Sequence, residues 1–247
     1  LKPENKYEVN KLTELTNAFD WSAYLAAQGV ASQKDIIINQ PDFVAGFGEI
    51  FAETSLKDWK TYLNFHSLSN FSSYLTTDID NENFDFYSKQ LSGRQEQRPQ
   101  WKRGVGIVNS NLGEVIGKVY VNRHFTPQAK ARMSELVENL RSSYGNSIDD
   151  LEWMSVDTKK AAHVKLAAFT PKIGYPDRWE DYSGLSIDAD DLVGNILRSS
   201  RLSHEKEVAK LGGPIKKWEW GMTPQTVNAY YNPTVNEIVF PAAILQA

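Results

Sequence analysis

Between Thr126 and Tyr144 a run of apolar residues falls at Ala129, Met133, Leu136, Val137, Leu140 and Tyr144. Steps of three and four put them on one side of a 3.6-residue helix, and a strand cannot show that spacing on one face. Thr126 supplies a hydroxyl N-cap, and Pro127 occupies the first helical position, where a missing N–H costs nothing. Gly145-Asn146 predicts the stop. The same grammar recurs along the chain. Asp20 caps Trp21 to Gln28, with Gly29 as the stop. Ser55-Leu56-Lys57-Asp58 reads as a capping box ahead of Trp59, Tyr62, Leu63 and His66. Ser155 caps Val156 to Phe169. Asp188 caps a long helix to about Leu211, closed by Gly212-Gly213-Pro214. A further helix is expected from Pro99 to about Asn122. More than half the chain therefore reads as helix, against roughly a third in an average globular protein, and the expected fold class is mainly α.

The pattern changes near Trp218. Thr226 to Tyr231 is rich in strand formers, Asn232-Pro233-Thr234-Val235-Asn236 is a turn cluster, and Glu237 to Phe240 is a second short strand. Besides this hairpin, only Ile36 to Ile38 carries a strand signal. Thr170 to Pro176 reads as an extended crossing with apolar residues that need burial. A lone hairpin is marginal in water. Thr226 to Ala247 is therefore expected to need strands from outside this sequence or from a second copy.

Composition excludes several chemistries. With 27 basic and 31 acidic residues, a net charge of −4 and no basic block, a nucleic-acid footprint is absent. No apolar run is long enough to span a bilayer. The chain has no cysteine, which removes disulfides, thiolate metal sites and cysteine nucleophiles. Its four histidines are scattered. His204-Glu205-Lys206-Glu207-Val208 begins a helical zinc motif but places valine where the second histidine is needed. Gly104-Val105-Gly106-Ile107-Val108-Asn109 lacks the third glycine and the preceding strand of a dinucleotide fingerprint, so close helix packing is the expected use of its glycines. Asp149-Asp150 and Asp190-Asp191 read as helix-start carboxylates. Asn228 is unusual inside a strand. It either pins the turn at Asn232-Pro233 or, with Ala229 keeping the approach open, holds a peptide backbone laid along an exposed edge.

Longer stretches carry a resemblance. Glu219 to Gln246 contains Val-Asn-Ala-Tyr-Tyr and Asn-Glu-Ile-Val-Phe-Pro-Ala-Ala-Ile-Leu-Gln. Upstream lie Leu91-Ser-Gly-Arg94, Arg98-Pro-Gln-Trp-Lys-Arg103, Tyr120 to Lys130 and Leu166 to Asp177. These resemble the neprilysin family of zinc metallopeptidases, which includes the endothelin-converting enzymes and the bacterial PepO-type oligopeptidases, and the bacterial members most of all.

The resemblance implies the latter part of a helical cap domain over residues 1–213. Residues 214–247 would then be the start of a zincin-type catalytic domain, with its first β-hairpin. It implies that the Asn228 side chain and the Ala229 backbone bind the main chain of a peptide substrate. No catalytic residue and no metal ligand is expected here: the zinc-binding helix of the family follows the Ile-Leu-Gln segment. The implied reaction is zinc-assisted hydrolysis of small peptides inside a chamber that this chain helps to wall. The implied partners are oligopeptides and the remaining N- and C-terminal parts of the same polypeptide. The start at Leu1 and the apolar end at Ala247 predict a piece of a longer chain, inactive by itself. The resemblance points to an extracytoplasmic setting, periplasm or cell envelope, with the cytoplasm as the alternative. A helical scaffold descended from the peptidase is the competing function.

Overall fold

The structure, a computed structural model, describes residues 5–246. The chain ends at Leu1 and Ala247 lie outside the described residues. The elements run β1 (Lys6–Glu8), α1 (Trp21–Ala27), β2 (Asp35–Ile37), α2 (Pro41–Glu53), α3 (Leu56–Phe71), α4 (Thr77–Asn83), α5 (Gln100–Asn111), α6 (Gly113–His124), α7 (Pro127–Asp150), α8 (Val156–Ala167), β3 (Thr170–Gly174), α9 (Leu192–Val208), β4 (Tyr230–Asn232) and β5 (Glu237–Pro241). Helix accounts for 58% of the chain, so the class is mainly α as expected. No helix among the described residues is long and apolar enough to cross a membrane.

Capping decides where most helices start. Asp20, Thr126 and Ser155 each accept the backbone N–H three residues on. Ser55 accepts the Asp58 N–H at 3.2 Å, the first half of the expected box, and the Asp58 carboxylate takes the Ser55 hydroxyl at 2.7 Å. Three expectations need correction. Helix α9 is capped by Asp191, which accepts from the Gly194 N–H at 2.8 Å. Asp188 instead closes the preceding loop through two bonds with the Asn195 carboxamide. The helix expected from Pro99 breaks at Leu112 (φ −131°, ψ 35°), giving α5 and α6. Helix α7 runs through Gly145-Asn146 to Asp150, because α8 packs against its last turns. Asp149 thus lies at a helix end, where the macrodipole disfavours it. Its carbonyl accepts from Lys159 and its carboxylate bonds His163 at 2.7 Å.

The chain divides into two compact units. The first comprises residues up to Gln97 with Asp188–Leu197 and Ser203–Leu211. Strand β1 pairs antiparallel with β2, and Leu12, Leu25 and Ile38 form the buried core beside them. Edge-to-face aromatic contacts link Phe19 to Trp21, Tyr24, Phe47 and Phe51, and Phe51 meets Trp59.

The second unit comprises Arg98–Ile187, Arg198–Leu202 and the residues from Gly212. Its sheet has the order β3-β5-β4. Strand β5 is parallel to β3, with Thr170 opposite Glu237 and Gly174 opposite Pro241. It is antiparallel to β4, with Tyr230 opposite Val239. The stretch read as an extended crossing is therefore a strand. It supplies the partner that the hairpin was expected to draw from elsewhere. Val121, Phe125 and Ala242 form this unit's core. Gly174 has φ +79°, and a Cβ there would stand 2.4 Å from the Phe125 ring, so both backbone and space require glycine.

The apolar stripe of α7 is less buried than expected. Val137 is enclosed, but Leu136, Leu140 and Tyr144 are half exposed. They line an open apolar groove of about 730 Å³, with Leu166, Ile238 and Phe240 on its other walls.

Candidate functional site

Asn228 and Ala229 lie immediately before β4, not inside a strand. The strand is shorter than the sequence suggests because the residues before it are bound elsewhere. Pro224 is fully buried, and its carbonyl accepts from the Ala243 N–H at 2.9 Å. The Gln225 amide donates to the Gly113 carbonyl at 2.9 Å and to the Asn109 carboxamide at 3.1 Å. A Cβ on Gly113 would meet the Thr223 methyl at 2.6 Å, and one on Gly117 would meet the Pro224 ring at 2.7 Å. The corner between α5 and α6 thus grips Thr223 to Gln225. The close packing expected of Gly104 and Gly106 is made by Gly113 and Gly117. Nothing among the described residues lies within 4 Å of a Cβ placed on the first pair.

Past this grip the chain emerges. Val227 is 75% exposed and Asn228 is exposed. The Asn228 side-chain oxygen accepts from the Ala229 N–H at 2.8 Å. That bond uses one acceptor and one donor of the pair. The Asn228 NH₂ group and the Ala229 carbonyl keep their hydrogen-bonding capacity. The outer edge of β4 has no ladder partner among the described residues.

Two tyrosines hold this edge. The Tyr230 hydroxyl accepts the Gly221 N–H at 2.6 Å. Burial pushes its pKa up, the Gly221 bond opposes the rise, and the Glu237 charge adds to it. The Tyr231 hydroxyl donates to the Asn236 side-chain oxygen at 2.9 Å, and its ring stacks on Phe169 with centroids 6.4 Å apart. Beneath the central strand, the Lys172 ammonium meets the Glu237 carboxylate at 2.6 Å and donates to the Glu219 carbonyl at 2.9 Å. The Lys172 and Glu237 side chains are 10% and 5% exposed. Sequence reasoning missed this pair, since residues 65 apart show no spacing signal. It also missed the Tyr231–Asn236 bond, whose one visible trace is an asparagine ending a turn cluster.

The structure does not bring the histidines together. His163 bonds Asp149, and His204 bonds the Gln28 carbonyl at 3.0 Å. His66 and His124 lie against Tyr62 and Tyr120. Among the described residues, no three histidine or carboxylate side chains are placed to hold a metal ion together.

Comparison with known proteins gives consistent matches. The family description "Peptidase family M13" fits residues 2–176. An endothelin-converting enzyme homolog of Locusta migratoria is 28% identical, over 98% of this chain and 36% of its own length. Neprilysin-2 of Drosophila melanogaster is 32% identical, over 92% of this chain and 32% of its own. Among solved structures, the Mycobacterium tuberculosis zinc metalloprotease Zmp1, in complex with an inhibitor, superposes with a TM-score of 0.90 at 43% identity. That match covers 99% of this chain and 37% of Zmp1. The chain thus spans about a third of the length of the relatives it matches.

Proposed function

We propose, from the premise that this chain belongs to peptidase family M13, the neprilysin family, that it is part of a zinc metalloendopeptidase acting on small peptides. On this reading residues 1–213 are the latter part of a helical cap and residues 214–247 open the catalytic domain. The catalytic portion would draw β3 from the earlier segment, since that strand pairs with β5. The observation that carries the reading is the exposed Asn228 and the half-buried Ala229 leading into an edge strand. An extended peptide laid beside it would meet the Asn228 NH₂ donor and the Ala229 carbonyl acceptor, which is recognition by strand addition. Backbone bonds of this kind accept many sequences, as a peptidase of broad range requires. The Asn228–Ala229 bond holds the carboxamide in place before substrate arrives, which lowers the ordering cost. Zinc, by the family's chemistry, would be held by residues outside this chain, in an extracytoplasmic enzyme.

The test is Asn228→Ala in the whole enzyme with a quenched peptide. Loss of a peptide-backbone bond is expected to lower kcat/KM by about tenfold, roughly 1.4 kcal/mol. Unchanged kinetics would favour the scaffold alternative. The 247-residue chain alone is expected to leave the same peptide intact, and chelator-sensitive cleavage by it would defeat that part of the proposal.

A further inference from the structure

We propose that Asn236, acting through Tyr231, is a positioning residue for the Asn228-Ala229 edge; the inference rests on the substrate-binding reading above. Asn236 closes the hairpin turn with φ +53°, the left-handed region that asparagine tolerates better than most side chains. Three of its polar groups reach three different places. Its side-chain oxygen accepts from the Tyr231 hydroxyl at 2.9 Å. Its NH₂ group donates to the Lys165 carbonyl at 2.9 Å, in the last turn of α8, where helix carbonyls lack partners of their own. Its own carbonyl accepts from the Thr170 N–H at 3.0 Å, at the first residue of β3. One residue therefore joins β4 to the end of α8 through its side chain and to the start of β3 through its backbone carbonyl.

The join matters because β4 is only three residues long. So short a ladder restrains roll about the strand axis weakly, and roll decides where the groups of Ala229 point. Ala229 directly precedes the strand, one face of which carries Tyr231. Fixing the tip of Tyr231 at Asn236, with its ring against Phe169, fixes that face. Tyr230, bonded to the Gly221 N–H, fixes the opposite one. Asn236 suits the task because it combines a left-handed backbone with one acceptor and one donor aimed in different directions. Aspartate would set a carboxylate against the Lys165 carbonyl, and glycine would keep the backbone and lose both bonds.

The experiment uses the zinc-loaded enzyme expressed from the whole gene. Asn236→Gly keeps the left-handed backbone and deletes both side-chain bonds, and Tyr231→Phe deletes the hydroxyl alone. Each is expected to raise KM for a quenched peptide about three- to tenfold, with kcat within about twofold of the parent enzyme. A purely structural role would lower kcat with the folded fraction at unchanged KM, and that result overturns the proposal. If Asn236→Gly fails to fold, Tyr231→Phe decides by the same criterion. Asn228→Ala is measured alongside. A raised KM in Asn228→Ala with unchanged KM in the other two sinks the positioning role and leaves the substrate-binding reading standing. An unchanged kcat/KM in Asn228→Ala sinks the reading itself. Where all three raise KM, the Asn228→Ala/Asn236→Gly double variant should fall short of the product of the single effects, because both act on one contact. Full multiplicativity would mean that Asn236 works through something else.

Discussion

The described residues form two small sheets, and each carries a lysine–carboxylate pair across neighbouring strands. In the β1–β2 ribbon Lys6 meets Asp35 at 2.8 Å, with side chains 53% and 46% exposed. In the three-stranded sheet Lys172 meets Glu237 at 2.6 Å, with side chains 10% and 5% exposed. The chemistry is the same and the stakes differ. The exposed pair gives up little hydration and gains little attraction. The enclosed pair has left water, so each partner depends on the other, and Lys172 also on the Glu219 carbonyl. Proximity in a sheet does not set the value of an ion pair; what covers it does.

Breaking each pair from one side is the strongest test. Lys172→Met leaves the Glu237 carboxylate buried without its cation and is expected to destabilise the chain by about 3–5 kcal/mol. Asp35→Asn is expected to cost at most about 1 kcal/mol. Urea titrations followed by far-UV circular dichroism measure both. Replacing Lys172 and Glu237 together by Met and Leu should recover most of the loss, since no lone charge then remains. Equal costs at the two sites would break the comparison.

Apolar neighbours sharpen it at smaller scale. Val239, in the central strand, is fully enclosed, whereas Ile37 in the ribbon is 58% exposed. Val239→Ala is expected to cost about 2 kcal/mol, from lost transfer energy and the cavity left behind. Ile37→Ala should change stability by no more than about 0.5 kcal/mol, as a surface substitution away from any special contact. The same urea titrations read both, and an Ile37→Ala loss that matched Val239→Ala would assign the ribbon a buried role.

What the sequence revealed follows the range of the forces involved. Caps act within three residues, so Asp20, Ser55, Thr126 and Ser155 were legible. So was the hairpin, whose turn residues lie between its strands. The parallel pairing of β3 with β5 was not, because Thr170 and Glu237 meet across 67 positions and nothing local distinguishes a strand from an extended crossing. Asp149-Asp150 misled for a related reason. A carboxylate pair usually marks a helix start, and the lysine and histidine that let it end one belong to the next helix. At the candidate site, Asn228 and Ala229 stood out through an unusual residue and a resemblance of sequence. The supports around them, Gln225, Tyr230 and Asn236, are ordinary residue types whose partners appear only in three dimensions.

The smallest expected effect concerns pH and belongs to the three-stranded sheet. Burial raises the Tyr230 pKa above its ordinary 10.0, and burial likewise raises that of Tyr182. The folded state thus keeps these phenol protons at a pH where the unfolded chain releases them. Their contribution is fully present below the unfolded value and is lost as pH rises through the folded one, so stability should fall through the alkaline range above about pH 10. Tyr230→Phe removes one titrating phenol and leaves Tyr182 in place. Urea midpoints collected between about pH 8 and pH 11 should therefore decline less steeply in the variant than in the parent. The slope, rather than the midpoint at any one pH, carries the comparison, because the variant also gives up the acceptor for the Gly221 N–H. Parallel slopes would mean that the Tyr230 phenol ionises alike in the folded and unfolded chain, and that the burial of this sheet reaches Lys172 and Glu237 but stops short of its outer strand.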